Sequence, residues 1–157
     1  MLMRKRKIII ITSLICLIFG MLSGAFTSIN DYVWYAGLNK PWFTPPNWLF
    51  APVWTIMYII MGIIVGKLWQ HRNKFYNTLA IKLFIIHFIF NLIWSPIFFC
   101  FHRIDIAFYD ICLVWFSLII LFIVVWKNKV IPVWLLVPYM VWISFAMILN
   151  YSVYILN

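Results

Sequence analysis

Five times along its 157 residues the chain runs through about 20 mostly apolar side chains with scarcely a charge among them. No other feature constrains the fold as much. A helix needs about 20 such residues to cross the hydrocarbon core of a bilayer. Inside lipid every backbone N–H and C=O must find its partner within the protein, which leaves helices or closed barrels. A barrel would show alternating segments of ~10 residues, and the sequence has none. With 67% hydrophobic residues, it carries more apolar surface than a water-soluble domain of this length can hide. The expectation is an all-α fold: an integral membrane bundle of five transmembrane helices, forming one domain over residues 1–157. The helices are expected over about 8–28, 45–69, 78–101, 105–126 and 132–155, with a lid loop over 30–44.

The net charge of +9 belongs to topology rather than to nucleic acid. Basic residues sit at the ends of apolar runs: Arg4, Lys5, Arg6 and Lys7 before the first, Arg72 and Lys74 in the second turn, Lys127 and Lys129 in the fourth. The alternate turns carry only Lys40 and Arg103. Positive residues favour the cytoplasmic side, so the N-terminus is expected in the cytoplasm and the C-terminus outside, in a multi-pass protein of the cell membrane. The first run is longer than the apolar core of a signal peptide, about 7–15 residues, and is read as a retained helix. Cys16, Cys100 and Cys112 lie in or beside apolar segments without CxxC or CxxH spacing, so neither a disulfide framework nor a metal site is expected.

Between Trp34 and Tyr58 lies a stretch unlike the rest, with four of the ten tryptophans and four of the seven prolines. Thr44-Pro45-Pro46 reads as a helix start, threonine as N-cap and proline in the first turn. Pro52 removes the backbone bond to the carbonyl of Trp48, which predicts a kink or an irregular first turn. Pro138 falls inside the fifth expected helix. Gly20 with Gly24, and Gly62 with Gly66, form two GxxxG motifs that permit close helix contact.

Polar side chains are costly in a membrane helix and usually face the bundle interior. His87, Asn91, Trp94 and Phe98 share one face of the third expected helix. Pro138, Trp142, Ala146 and Asn150 repeat every four residues on the fifth, and Phe50, Trp54, Tyr58 and Met61 share a face of the second. At 1.5 Å per residue, Trp54 lies ~10 Å, Asp110 ~8 Å and Asn91 ~15 Å below the outer helix ends, with Trp142 near mid-membrane and Asn150 near the outer edge. Four helices thus bring aromatics and hydrogen-bonding groups to one half of the bilayer, as a flat, mostly apolar ligand requires. Asn91 and Asn150 have two readings, interhelical hydrogen bonds or ligand contact. Asp110 likewise suits a structural bond or chemistry. His87 is expected to bond a neighbouring helix rather than ligate haem. Trp34, Trp69 and Trp126 read as interfacial belt residues.

No nucleophile–base pair, phosphate loop or pair of carboxylates is present, and no ring of charges suits an ion channel. A transporter of apolar metabolites is a competing reading, although five helices do not divide into the repeated halves usual in such proteins.

The combination of motifs resembles the TspO/MBR family, which comprises the tryptophan-rich sensory proteins and the mitochondrial translocator protein, or peripheral benzodiazepine receptor. The matching residues run in order. They are Trp34-Tyr35 with Leu38, Lys40-Pro41, Thr44-Pro45-Pro46, Phe50 with Val53-Trp54, Tyr58, and Met61-Gly62. Asn91 with Trp94-Ser95-Pro96 and Phe98-Phe99 follow, then Ala107, Asp110 and Trp115. Leu135-Leu136, Pro138-Tyr139, Trp142, Phe145-Ala146 and Leu149-Asn150 close the series. The resemblance implies a five-helix bundle, often a homodimer, with a pocket open toward the first loop. It implies porphyrin-type ligands, protoporphyrin IX or haem, with no required cofactor, and in some members light-dependent protoporphyrin degradation. The positions that match the family pocket are Tyr35, Trp54, Tyr58, Asn91, Trp94, Asp110, Trp142 and Ala146. Trp54 and Trp142 match the tryptophans linked to the photochemistry. Tyr151 and Tyr154 are not followed by the basic residue of the family's sterol consensus. Phe84, Phe88 and Phe90 crowd the helix that forms the contact face in some dimers, which makes Gly20 and Gly24 the expected dimer seam.

Overall fold

The structure is a computed structural model that describes residues 2–25, 29–128 and 131–157, and among these there is no strand. Six α-helices follow one another: α1 (Leu2–Ala25), α2 (Ile29–Gly37), α3 (Phe50–Gln70), α4 (Phe75–Ser95), α5 (Ile104–Asn128) and α6 (Val137–Leu156). Five of the helical segments are long and apolar enough to cross a membrane. The short α2 is not among them, and it corrects the loop expected over 30–44. Lys129 and the end of the first expected helix, residues 26–28, lie outside the described residues.

α1 and α3 run antiparallel and nearly touch. A Cβ at Gly62 would overlap the backbone of Ser13, and one at Gly66 would sit 3.0 Å from Ile9 Cα. Thr12 Oγ1 donates across the seam to Gly62 O at 2.7 Å, and Gln70 Nε2 to Lys5 O at 3.0 Å. Small residues let backbones approach where lipid supplies no hydrophobic drive to association. The first GxxxG packs within the chain at one of its two glycines: a Cβ at Gly20 would overlap the Tyr58 ring. Gly20 is therefore occupied in internal packing and is not a free dimer seam.

Prolines shape the helix ends. α3 begins irregularly, as Pro52 requires, with a 3-10 turn over Asn47–Leu49. Thr44 is not its N-cap. Its hydroxyl donates to Pro41 O at 2.7 Å, and Pro46 occupies the capping position without a side-chain bond. α4 stops at Ser95, where a π turn over Pro96–Cys100 takes over. Pro96 has no N–H for the carbonyl of Leu92, and Ser23 Oγ of α1 donates to that carbonyl instead, at 2.5 Å. Pro138 does not interrupt a helix. A 3-10 turn over Val133–Leu136 precedes α6, and the proline sits in the first α turn.

On α5, Ala107, Ile111, Val114, Leu118, Leu121 and Val125 are buried at alternating spacings of four and three, the period of one helix face. The lower part of this stripe meets Met61, Ile64 and Leu68 of α3, Phe84 of α4 and Leu136 in a continuous core toward the basic turns. The upper part, with Tyr35, Phe98, Leu149 and Val153, belongs to a separate apolar cluster toward α2.

Candidate ligand cavity

Toward α2 the helices enclose a cavity of about 440 Å³, within the usual range of small-molecule sites. Every helix contributes to its wall. α1 supplies Gly20, Ser23 and Gly24, of which Gly24 faces open space. Phe50, Trp54 and Tyr58 enter from α3, Asn91 and Trp94 from α4, and Phe98 and Phe99 from the π turn. Ile111 and Val114 come from α5, and Ile143, Ala146 and Asn150 from α6.

The aromatic rings order one another. Trp54 stacks on Tyr58 with centroids 5.6 Å apart and meets Trp142 edge-on at 6.3 Å. Trp94 stacks on Phe98 at 5.1 Å, and its Nε1–H donates to Asn150 Oδ1 at 3.0 Å. Tyr35 of α2 closes the opposite side, packed edge-on against Phe98 and Phe99. Burial pushes the Tyr35 phenol above its ordinary pKa, so it stays protonated at neutral pH.

α2 is held as a lid from several sides. Lys40 Nζ donates to Tyr35 O at 2.6 Å, Leu38 O at 3.0 Å and Ala36 O at 3.2 Å, a cation on the carbonyl end of the helix. Asn157 Nδ2 donates to Asn39 O at 3.0 Å and its Oδ1 accepts from Asn39 N at 2.9 Å. Trp34 stacks on His102 at 4.2 Å and meets Phe98 edge-on, so it packs within the lid rather than serving only as a belt residue. His102 itself turns the chain into α5 at φ 52.

Of the residues predicted from sequence, Tyr35, Trp54, Tyr58, Asn91, Trp94, Ala146 and Asn150 come together on this wall. Asp110 and Trp142 do not. Trp142 stands behind Trp54 and Phe50. Asp110 precedes the lining Ile111 by one residue, which turns it about 100° around α5, and it is buried in helix packing with Oδ2 unpartnered. Ser23, Gly20 and Gly24 were missed, because such small residues carry no signal of a site.

The floor is polar. His87 is fully buried, with Nδ1 2.9 Å from Ser117 Oγ and Nε2 2.8 Å from Tyr139 Oη. Its expected role as an interhelical bond is realised, to two helices at once. Asn91 Nδ2 donates to the same Tyr139 oxygen at 3.1 Å. Asn91 Oδ1 and Asn150 Nδ2 are left buried without a partner. Among the described residues no group of three His, Cys, Asp or Glu side chains is placed to hold a metal ion.

A bundle of five helices long and apolar enough to cross a membrane, packed around an aromatic cavity, defines the class: a multi-pass membrane protein with an internal cavity. The chain belongs to the TspO/MBR family, whose profile matches residues 12–156. It is similar to Tryptophan-rich protein TspO of Archaeoglobus fulgidus, 36% identical over 142 residues, covering 90% of this chain and 91% of that one. It is 31% identical over 129 residues to the Tryptophan-rich sensory protein of Cereibacter sphaeroides, covering 79% and 77%. It is also 32% identical over 123 residues to the human Translocator protein, covering 77% and 73%.

Proposed function

We propose that the chain is a membrane receptor or sensor that holds porphyrins, such as protoporphyrin IX or haem, or similarly flat apolar ligands, in this cavity. The observation that carries the reading is the cavity itself: about 440 Å³, walled by aromatic rings, with Asn91 and Asn150 among its lining residues. Flat π-systems gain from offset and edge contacts with such rings, and a few placed polar groups orient them. The names of the relatives, a sensory protein and translocator proteins, accord with it. The excess of Lys and Arg at the opposite end of the bundle favours a cytoplasmic basic face and a cavity in the outer half of the membrane.

Titrating protoporphyrin IX into the detergent-solubilised protein is expected to quench tryptophan fluorescence at micromolar concentration. Trp54→Ala is expected to weaken binding by about tenfold, since an aromatic contact of this kind is worth ~1 kcal/mol beyond its buried area. Unchanged affinity in that variant would sink the reading. A second reading, light-driven porphyrin breakdown by oxygen, is favoured by the contiguous array Tyr58–Trp54–Trp142. Soret absorbance of the illuminated complex should then decay faster than that of free porphyrin in the same detergent; equal decay rejects it.

A further inference from the structure

On the lipid-facing side of α1, α3 and α4 lies a groove of about 360 Å³ that shares no lining residue with the cavity. Ile15, Phe19, Ile85 and Ile89 line it and are exposed, whereas Cys16 and Phe84 beneath them are buried. No charged side chain lines it, and the Thr12 hydroxyl is spent on Gly62 O at 2.7 Å. From Ile81 to Leu92 it follows α4 for ~16 Å. That direction is along the span, as an acyl chain lies in a bilayer.

Three elements bring a cation to the basic end of this groove. On α1, Lys5 shares a face with the lining residues Thr12, Cys16 and Phe19. In the turn after α3, the Arg72 guanidinium lies over the ring of the lining Trp69, 5.1 Å from its centroid, and donates once to Trp69 O at 3.2 Å. On α4, Lys82 stands three residues before Ile85 and seven before Ile89, so it flanks the groove. It is exposed, lies ~10 Å inside the span that starts at Phe75, and pairs with no acid among the described residues. A lysine at that depth is costly in lipid and turns its ammonium back toward the headgroups. The three acids of the sequence cannot neutralise these cations, because Asp31 is in α2 and Asp105 and Asp110 are in the first turns of α5, in the opposite half.

We propose that this groove is a site for one anionic phospholipid of the leaflet at the basic end, with an acyl chain along α4 and the phosphate held by Lys82 and Arg72, with Lys5 beside them. An apolar slot alone would accept any hydrocarbon. The cations at its mouth supply the selectivity, as basic recesses between membrane helices do for acidic headgroups. Charge also decides against a second copy of the chain as the occupant. A two-fold contact sets the same patch against itself. Here that would bring a second Lys82 and a second Arg72 into the contact and no carboxylate. The site is independent of the cavity and of what the cavity holds.

Native mass spectrometry of the full chain released from detergent tests this, because one spectrum reports both bound lipid and oligomeric state. The probes are phosphatidylglycerol and phosphatidylcholine with the same palmitoyl and oleoyl chains. One phosphatidylglycerol per chain is expected to bind at least about fivefold tighter than phosphatidylcholine, the worth of one cation near the membrane surface. Lys82→Gln and Arg72→Gln should each weaken phosphatidylglycerol about fivefold and leave phosphatidylcholine unchanged. Lys127→Gln removes the same charge from the end of α5, which does not line the groove, and should alter neither. Ile85→Trp fills the slot from its exposed edge and should weaken both lipids alike. Equal binding of the two lipids, or an equal loss in Lys127→Gln and Lys82→Gln, overturns the proposal in favour of net charge alone. Lipid-free pairs of chains that Ile85→Trp separates overturn it in favour of a second copy. Protoporphyrin quenching is expected to be unchanged in Lys82→Gln, so the cavity reading stands or falls separately.

Discussion

Along the same five spans, the half toward the basic turns is packed solid, whereas the half beneath α2 is hollow. In the solid half, Gly62 and Gly66 bring α3 against the backbone of α1, and Ile64, Leu68, Leu121 and Val125 are almost wholly buried. In the hollow half Gly24 shows the reverse, with nothing within 4 Å of where a Cβ would stand. The layer formed by His87, Asn91, Ser117 and Tyr139 lies at the boundary and ties α4, α5 and α6 together. Lipid gives helices no hydrophobic reason to associate. Close packing in one half therefore has to hold the helices apart in the other, where the cavity lies.

The largest expected effect exploits the two glycines. Gly62→Ala forces a methyl into the Ser13 backbone, which cannot swing aside as a side chain would. Overpacking of this kind costs about 3 kcal/mol, so the unfolding temperature should fall by about 10 °C. Gly24→Leu is the counterpart in the hollow half. It should leave unfolding within ~2 °C, because open space receives the side chain, while lowering porphyrin affinity at least about tenfold by occupying the cavity. Thermal unfolding and fluorescence quenching of both variants check the pair. Equal loss of stability in the two would mean that the halves are not packed differently.

The contrast was only partly legible in the sequence. The spans were, because bilayer thickness fixes the length of an apolar run. Their ends were not, because Pro96 and Pro138 can be accommodated by a π turn or a first turn as readily as by a kink. α2 was missed. Nine residues form a marginal helix on their own, and this one rests on distant partners: Phe98 and Phe99 under Tyr35, His102 on Trp34, and Lys40 on its carbonyls. The depth of the site residues could be computed from rise per residue, which brought seven of them to one wall. Depth leaves rotation about the helix axis undetermined. Asp110 and Trp142 were therefore expected on a wall they do not line, and Tyr139, whose hydroxyl joins His87 to Asn91, was not recognised as part of the floor.

A smaller effect separates two leucines. Leu118 is 1% exposed within the solid core, and Leu149 is 7% exposed on the cavity wall. Leu118→Ala opens a void where dispersion contacts surrounded the side chain and should cost about 2 kcal/mol. Leu149 already faces open space on one side and has fewer contacts to lose, so Leu149→Ala should cost less than about half as much. Denaturation of both variants in one detergent compares them directly. A Leu149→Ala loss equal to that of Leu118→Ala would show the cavity wall to be as tightly supported as the core.

The smallest expected change concerns kinetics. Each half has an exposed or half-buried hydrogen bond to the end of a helix: Asn157 to Asn39 at the lid, and Gln70 to Lys5 O at the basic end. Groups left by removing either one can turn to water, so Asn157→Ala and Gln70→Ala should each move stability by no more than ~0.5 kcal/mol. Their effects on a bound ligand should differ. Asn157 fastens the segment that follows α2, and α2 carries Tyr35 over the cavity. Releasing it raises the fraction of time the lid is open, and porphyrin dissociation should quicken by about twofold, as a bond worth ~0.5 kcal/mol implies. Gln70→Ala, on the far side of the polar floor, should leave that rate unchanged. Stopped-flow recovery of tryptophan fluorescence after dilution of the complex measures both, and equal rates in the two variants would mean that the ligand does not leave past α2.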